Sequence, residues 1–212
     1  MENKCLYLVR HGETDWNKQG MFRGLSDVPL NATGKTQAQA LGRCFAGIPI
    51  RAIHASKLAR ALETARGIAR GQESEKIIYA EDGLADINRG EWAGLTHQQA
   101  KEKFPELYDK WFSAPQEVCF PGGGCLHEVM SKARGTVDRI MNGTNGSSLV
   151  VVTHHVVIRA LLCSLLDLNL SNFRRFEVFP ASVSELRFEY GRWVLYRLND
   201  TCHLGEGTAP CR

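Results

Sequence analysis

The chain has 212 residues, 43% hydrophobic and 23% charged, with a formal net charge of +3. At that length folding buries roughly two-thirds or more of the unfolded surface, so a core forms without staples. So mild a positive balance, with no clustered basic patch, argues against nucleic acid or membrane partners and suits a small anionic substrate.

In chain order, Leu6–Val9 is a short apolar run that opens into Arg10-His11-Gly12 and reads as a buried strand followed by a loop. After Asn31-Ala32-Thr33-Gly34, the apolar residues Ala38, Leu41, Phe45 and Ile48 recur at helical spacing until Pro49 stops them. Arg51–Ala55 predicts a second strand. Ser56 is placed to cap a helix with Leu58, Ala61, Leu62, Ala65 and Ile68 on one face. Lys76–Ala80 predicts a third strand. The segment 81–124 is rich in Gly, Pro, aromatics and charge, with short helical pieces at Gln98–Phe104 and Glu106–Phe112. So long an excursion is usually functional.

A long helix follows over Leu126–Met141, then a turn cluster at Asn142–Gly146. Ser148–Thr153 is apolar on both faces, as a central strand should be. His154-His155 leads into a helix that is apolar nearly all round. Val183–Tyr190 and Trp193–Leu198 predict a hairpin turning at Gly191-Arg192. Strands alternating with helices imply an α/β three-layer sandwich. Its mixed sheet is mainly parallel, with helices on both faces and the antiparallel hairpin at one edge. Residues 1–200 form one domain, with 81–124 covering the substrate and 201–212 as a loosely held tail. The hairpin edge allows a monomer or a homodimer.

The apolar stretches Leu149–Val152 and Val156–Leu166 fall short of the ~20 residues of a membrane span. The start, Met1-Glu2-Asn3-Lys4, is too acidic and its apolar stretch too short for a signal peptide. A cytoplasmic protein with free thiols is therefore expected for the seven cysteines, none of which forms a C-x-x-C pair. A disulfide between Cys119 and Cys125, which flank a Pro-Gly loop, is the disfavoured alternative. No metal site is expected: His154, His155 and His203 have no carboxylate or cysteine at a ligand spacing.

In open α/β sheets ligands bind beyond the carboxyl ends of strands, where Arg10-His11-Gly12, Ser56–Arg60 and His154-His155 all lie. Leu8–Thr14, Asp15-Trp16-Asn17, Phe22-Arg23-Gly24 and Leu30–Gly34, in that order, resemble the signature of the histidine phosphatase superfamily. Ser56–Ala65, Gly90–Gly94 and Val151–His154 with Val157-Ile158-Arg159 resemble its later blocks. The resemblance implies a phosphomonoester hydrolase in which His11 becomes phosphorylated, without a cofactor, on a small phosphorylated metabolite. Arg10, Arg60 and His154 are implied to grip the phosphoryl oxygens. Asn17, Arg23, Gly24, Arg89 and His155 are candidate substrate contacts.

A neutral imidazole avoids the repulsion an anionic nucleophile would meet from a phosphate dianion. Arginine donates paired hydrogen bonds and stays charged. The expected geometry is therefore a His11 ring that faces cationic donors and is open to solvent. Three positions depart from the resembled pattern. Asp86 stands where a glutamate acid is usual and is assigned the acid and base role, with Glu91 as fallback. Gly122-Gly123-Gly124-Cys125 stands where many relatives have Gly-Gly-Glu-Ser. Arg23 replaces the small hydroxyl residue common in mutases. The short 96–118 region, with no paired arginines, favours hydrolysis over a phosphoglycerate mutase. The intact histidines and arginines argue against a non-catalytic binder.

Overall fold

The computed structural model describes residues 4–74, 76–143 and 148–205. Six strands form one sheet in the order β3-β2-β4-β1-β5-β6. They are β1 (Lys4–Arg10), β2 (Ile50–Ser56), β3 (Ile78–Glu81), β4 (Ser148–Thr153), β5 (Val183–Glu189) and β6 (Arg192–Asp200). The pairs β1–β4, β4–β2 and β2–β3 are parallel, and β1–β5 and β5–β6 are antiparallel. This is the expected mixed sheet with its hairpin at the edge. The hairpin turn sits one residue earlier than expected, at Tyr190-Gly191, with φ of 52° and 79°. Two consecutive positive φ values are what a two-residue turn needs to follow the strand twist.

Alternation along β1 and β4 builds both faces at once. Leu6, Leu8, Leu149 and Val151 point to one side. There they meet α6 (Leu126–Asn142) and α7 (His155–Leu165) through residues such as Val137, Ile140, Ile158 and Leu161. Tyr7, Val9, Val150 and Val152 point to the other side, against Leu41 and Phe45 of α2 (Ala32–Phe45) and Ala65 and Ile68 of α3 (Ala59–Arg70). The period-2 strand and 3.6-residue helix patterns thus agree on one three-layer core.

Segment 81–124 is not a bare loop. It contains α4 (His97–Lys103) and α5 (Pro105–Ser113), and a third apolar cluster holds it down. Trp92, Trp111, Val118 and Phe120 pack there with Phe22, Val156 and Phe173. The short helix α1 (Asp15–Lys18) and the 3₁₀ turn Leu170–Arg175 carry no clear periodicity in sequence.

Other expectations need correction. Ser56 does not cap α3, whose N-cap is Leu58 with no side-chain bond. Ser56 is the last residue of β2, and its hydroxyl accepts only a long 3.4 Å bond from the Leu58 N–H there. The described part of the expected tail is not loose, since Cys202–Leu204 forms a 3₁₀ turn with His203 buried. Residues 206–212, and 144–147 of the turn cluster, lie outside the described residues. Cys119 and Cys125 form a disulfide, and Cys44 is disulfide-bonded as well, so the expectation of free thiols throughout does not hold. No helix among the described residues is long and apolar enough to cross a membrane.

Helices α2 and α3 approach closely through glycines. A Cβ on Gly42 would stand 2.5 Å from the Gly67 carbonyl oxygen. Gly42→Val should therefore push α2 off α3 and cost about 1–3 kcal/mol by overpacking, read as a lower midpoint in urea denaturation.

Candidate active site

The carboxyl ends of three neighbouring strands bring the site together. Arg10 ends β1 and pairs in register with Thr153 of β4, so His11 and His154 leave the sheet side by side. The backbone N–H of His11 donates to the Thr153 carbonyl at 3.0 Å, and the two imidazole centroids lie 5.2 Å apart. Thr64 links this loop to α3. Its hydroxyl receives the Gly12 N–H at 3.0 Å and donates to the Arg60 carbonyl at 2.7 Å. Gly12 itself allows close passage, because a Cβ there would stand 2.7 Å from the Gly34 carbonyl oxygen.

Each ring has one nitrogen anchored and the other unpaired. His11 Nδ1 lies 2.6 Å from the Gly12 carbonyl oxygen, which can only accept. The proton is therefore on Nδ1, and the lone pair is on Nε2, which has no hydrogen-bond partner. His154 Nε2 meets the Ser56 hydroxyl at 2.8 Å, leaving Nδ1 unpartnered and 4.0 Å from Asp86 Oδ2. The arginines are likewise half-anchored. Arg10 donates to the Val178 carbonyl at 2.6 Å. Arg60 donates to the Ser26 and Gly24 carbonyls at 2.8 Å each. Nε of Arg10, Arg23 and Arg60, and Nη1 of Arg89, have no partner. So many unpaired buried donors are costly unless a ligand with several acceptor oxygens satisfies them.

One carboxylate faces this cluster. Asp86 Oδ2 lies 3.6 Å from Arg60 Nη2, and Oδ1 accepts the Ile87 N–H at 2.9 Å. Burial pushes the Asp86 carboxyl up, but His154, Arg60, Arg89 and Arg23 outweigh it and hold it below the usual aspartate value. Burial, then repulsion from Arg23, pushes Arg10 down to about 9, still a cation at neutral pH. Burial, followed by His154 and the arginines, holds His11 well below the ordinary histidine range. Burial also takes His154 down to about 3, despite the opposing pull of Asp86. Both rings are neutral at physiological pH, the form a nucleophile needs.

A cavity of about 220 Å³ abuts the cluster at Asp86. Asn17, Arg23, Gly24, Arg89 and His155 all line it, so the structure brings these expected substrate contacts together. Asn17 Oδ1 accepts from the backbone and hydroxyl of Thr14 at 3.0 and 2.8 Å, which leaves its amide NH₂ as the free end. Gly24 adopts φ +53°, and a Cβ there would stand 2.8 Å from the Ile87 carbonyl oxygen. His155 has an unpartnered, buried Nδ1.

Arg89 is 3% exposed, not the solvated loop charge a sequence suggests. Its guanidinium lies 4.6 Å from the Trp111 ring, 4.7 Å from Phe120 and 5.3 Å from Phe22. Trp111 thus packs and lines the cavity together. Arg159 and Arg174 also line it and were not singled out as contacts. Arg159 lay within a recognised block, but Arg174 gave no signal.

Two expectations fail. Glu91 is exposed, pairs with Lys103 at 3.2 Å and does not line the cavity, which removes it as fallback acid. His11 does meet the cationic donors, but it is 0% exposed instead of open to solvent. Arg10, Arg60 and His154 are also no more than 8% exposed and do not line the cavity. A ligand reaches His11 Nε2 only if side chains at the Asp86 end of the cavity give way. Among the described residues Cys125, His127 and Glu128 form a three-donor group, but the Cys125 sulfur is already bonded to Cys119.

Comparison with known proteins gives a consistent picture. The family model described as Histidine phosphatase superfamily (branch 1) matches residues 6–201. Phosphoserine phosphatase 1 of Hydrogenobacter thermophilus is 37% identical over 201 residues, covering 95% of this chain and 94% of that protein. The structure of Bacillus stearothermophilus YhfR superposes with a TM-score of 0.89 at 30% identity, covering 95% of this chain and all of that one. Entamoeba histolytica phosphoserine phosphatase, solved with 3-phosphoglyceric acid, gives 0.84 at 27% identity, with 95% and 100% coverage.

The lowered imidazole pKa values set the direction of a titration. A histidine whose pKa is depressed stays neutral as pH falls through the ordinary range near 6.5. Neither His11 nor His154 should take up a proton between about pH 8 and pH 5.5. Nitrogen NMR of ring-labelled protein checks this.

Proposed function

The chain belongs to the histidine phosphatase superfamily (branch 1), and from that premise we propose that His11 is its nucleophile and that its substrates are small phosphomonoesters carrying a second anionic group, a carboxylate. The chain is a phosphatase of small phosphorylated metabolites. The observation that carries the mechanistic reading is the His11 ring itself. Its Nδ1 is tied to the Gly12 carbonyl and its Nε2 is bare among Arg10, Arg60 and His154.

Nε2 attacks phosphorus in line as the ester P–O bond breaks, giving a phosphohistidine and an alkoxide that must receive a proton. Arg10, Arg60 and His154 hold the equatorial oxygens, and their unpaired N–H groups supply charge-assisted bonds that strengthen as charge moves outward. Arg23 lines the cavity and lies among the charges acting on His11, so it links the two. Water then attacks the phosphohistidine, and its proton passes to a base, freeing His11. Asp86 is the group in place for both proton steps. As base it is ready, being ionised. As acid it needs the phosphate dianion to neutralise the arginines that hold its proton off.

The second anionic group follows from the charge left over. Four arginines, Arg10, Arg23, Arg60 and Arg89, share the carboxylate of Asp86, with Asp27 acting on Arg60 besides. Arg174 adds a guanidinium 4.2 Å from Phe112 and 5.2 Å from Trp111. Its Nε and Nη2 are both committed to the Trp111 carbonyl at 3.0 and 2.8 Å, which fixes its remaining nitrogen at the cavity. A phosphate dianion alone leaves this wall of the cavity unmatched. Phosphoserine and 3-phosphoglyceric acid, which name the relatives above, each carry a carboxylate beside the phosphate. No observation favours the mutase alternative.

Three outcomes test the reading. His11→Ala should lower turnover of p-nitrophenyl phosphate by at least about a thousandfold; retention of activity would remove His11 as nucleophile. Asp86→Asn should slow alkyl esters far more than p-nitrophenyl phosphate, whose leaving group needs no proton. Equal losses on both would deny Asp86 the acid role. Arg174→Ala should raise KM for phosphoserine by roughly ten- to a hundredfold, the value of a charged hydrogen bond, with kcat and p-nitrophenyl phosphate little changed.

A further inference from the structure

One departure from the family pattern remains unused by the mechanism: Cys125, standing where many relatives have serine, is bonded to Cys119. The disulfide closes a six-residue separation, with Cα atoms 4.2 Å apart across an isolated antiparallel bridge. The loop it closes does not line the cavity but packs behind Arg89 and Trp111, which do. Its Phe120 ring lies 4.7 Å from the Arg89 guanidinium and 5.1 Å from both Trp92 and Trp111. The loop backbone also holds the segment that carries Arg89. The Glu91 N–H donates to the Pro121 carbonyl at 2.9 Å, and the Gly124 N–H donates to the Asn88 carbonyl at 3.0 Å.

We propose that the Cys119–Cys125 disulfide is a redox control on substrate recognition, in which reduction releases Phe120 and Arg89 and weakens the hold on the substrate's carboxylate. The proposal rests on the two-anion reading above and concerns its regulation, not the chemistry at His11.

The geometry favours exchange with an external dithiol. Cys119 is exposed, whereas Cys125 is half-buried at the N-cap of the 17-residue helix α6. Cys119 Sγ is therefore the sulfur a thiolate can reach. Cys125 is the better leaving group, because the helix N-terminus stabilises a thiolate. In the first step a thiolate of the dithiol bonds to Cys119 Sγ, the S–S bond breaks and its electron pair leaves on Cys125. In the second the other thiol of the reductant attacks the mixed disulfide and frees Cys119. The reductant ends as a disulfide, two electrons poorer, and both protein sulfurs end as thiols.

Once the bond is gone, Phe120-Pro121-Gly122-Gly123-Gly124 keeps its place only through four backbone hydrogen bonds and the packing of Phe120. Three glycines raise the entropy of its open states. Cys44's disulfide is reduced by the same reagent, so the test needs a variant that isolates the loop.

The experiment compares air-oxidised and dithiothreitol-treated full-length chain. The readouts are Ki of phosphoserine and of 3-phosphoglycerate against p-nitrophenyl phosphate hydrolysis, and the tryptophan fluorescence. Reduction should raise both Ki values roughly tenfold, the worth of a desolvated cation–π contact. The KM for p-nitrophenyl phosphate should stay within about twofold, and the fluorescence of Trp92 and Trp111 should shift reversibly. The Cys119→Ser/Cys125→Ser double variant should show the reduced-state Ki in both conditions. Ki values unmoved by reduction would overturn the proposal, as would a response that survives in the double variant. Failure of the two-anion reading shows separately, as phosphoserine and 3-phosphoglycerate that inhibit the oxidised protein no better than inorganic phosphate.

Discussion

Buried positive charge dominates this molecule. Arg10, Arg23, Arg60 and Arg89 are each no more than 8% exposed, and Asp86 is the carboxylate that acts on them in common. Taking a guanidinium out of water costs several kcal/mol even after relaxation, and like charges add repulsion. The fold tolerates this in part by fixing two of the groups on backbone carbonyls: Val178 for Arg10, and Ser26 and Gly24 for Arg60. Carbonyl dipoles offset some of the desolvation without cancelling the charge, so the attraction for an anion is kept. A doubly charged phosphate is the ligand that most lowers the energy of such a site. Burial, reinforced by the same arginines, keeps both histidines neutral.

That constraint explains why the sheet order matters more than any one side chain. Parallel pairing puts the ends of β1, β2 and β4 together, and registry alone makes His11 and His154 neighbours. The last residue of β2, Ser56, then anchors His154 Nε2. Thr64 ties the His11 loop to the helix that carries Arg60. Gly12 passes so close to Gly34 that any side chain there would move His11. These contacts fix direction as well as position, and a nucleophile misplaced by ~1 Å loses orders of magnitude in rate. The charge cluster cannot supply this precision, because electrostatic attraction has little angular preference.

The parts of the site legible in sequence are those fixed by the chain's local pattern. Arg10, His11, Arg60 and His154 lie within ordered motifs at strand ends or just beyond them, and the alternation along β1 and β4 places those ends. What was illegible depends on distant residues. Arg89 reads as a loop charge, yet it is buried by Phe22, Trp111 and Phe120, which come from three separate segments. Arg174 sits in a 3₁₀ turn without periodicity and finds the cavity only through the Trp111 carbonyl. Ser56 has the sequence context of a helix cap, but the demand of His154 for a partner takes its hydroxyl instead. The disulfide was set aside on the expectation of a reducing compartment. That is an argument about surroundings, whereas the bridge between Cys119 and Cys125 is decided by their 4.2 Å Cα separation.

The substitution of aspartate for the usual glutamate at position 86 fits the same electrostatics. The shorter side chain has less reach, so its carboxyl stays close to the charges that hold it. Here those charges are Arg60 at 3.6 Å and His154 at 4.0 Å. A carboxylate so placed is a poor acid until a dianion arrives, and then it gains a proton because its cationic neighbours have been neutralised. Acid competence is thus coupled to phosphate binding and is not a fixed property of the site. The coupling runs in both directions. A protonated Asp86 no longer repels the phosphate oxygens, so the proton and the substrate each favour the binding of the other, and loss of phosphate after hydrolysis returns Asp86 to the ionised state in which the arginines hold it.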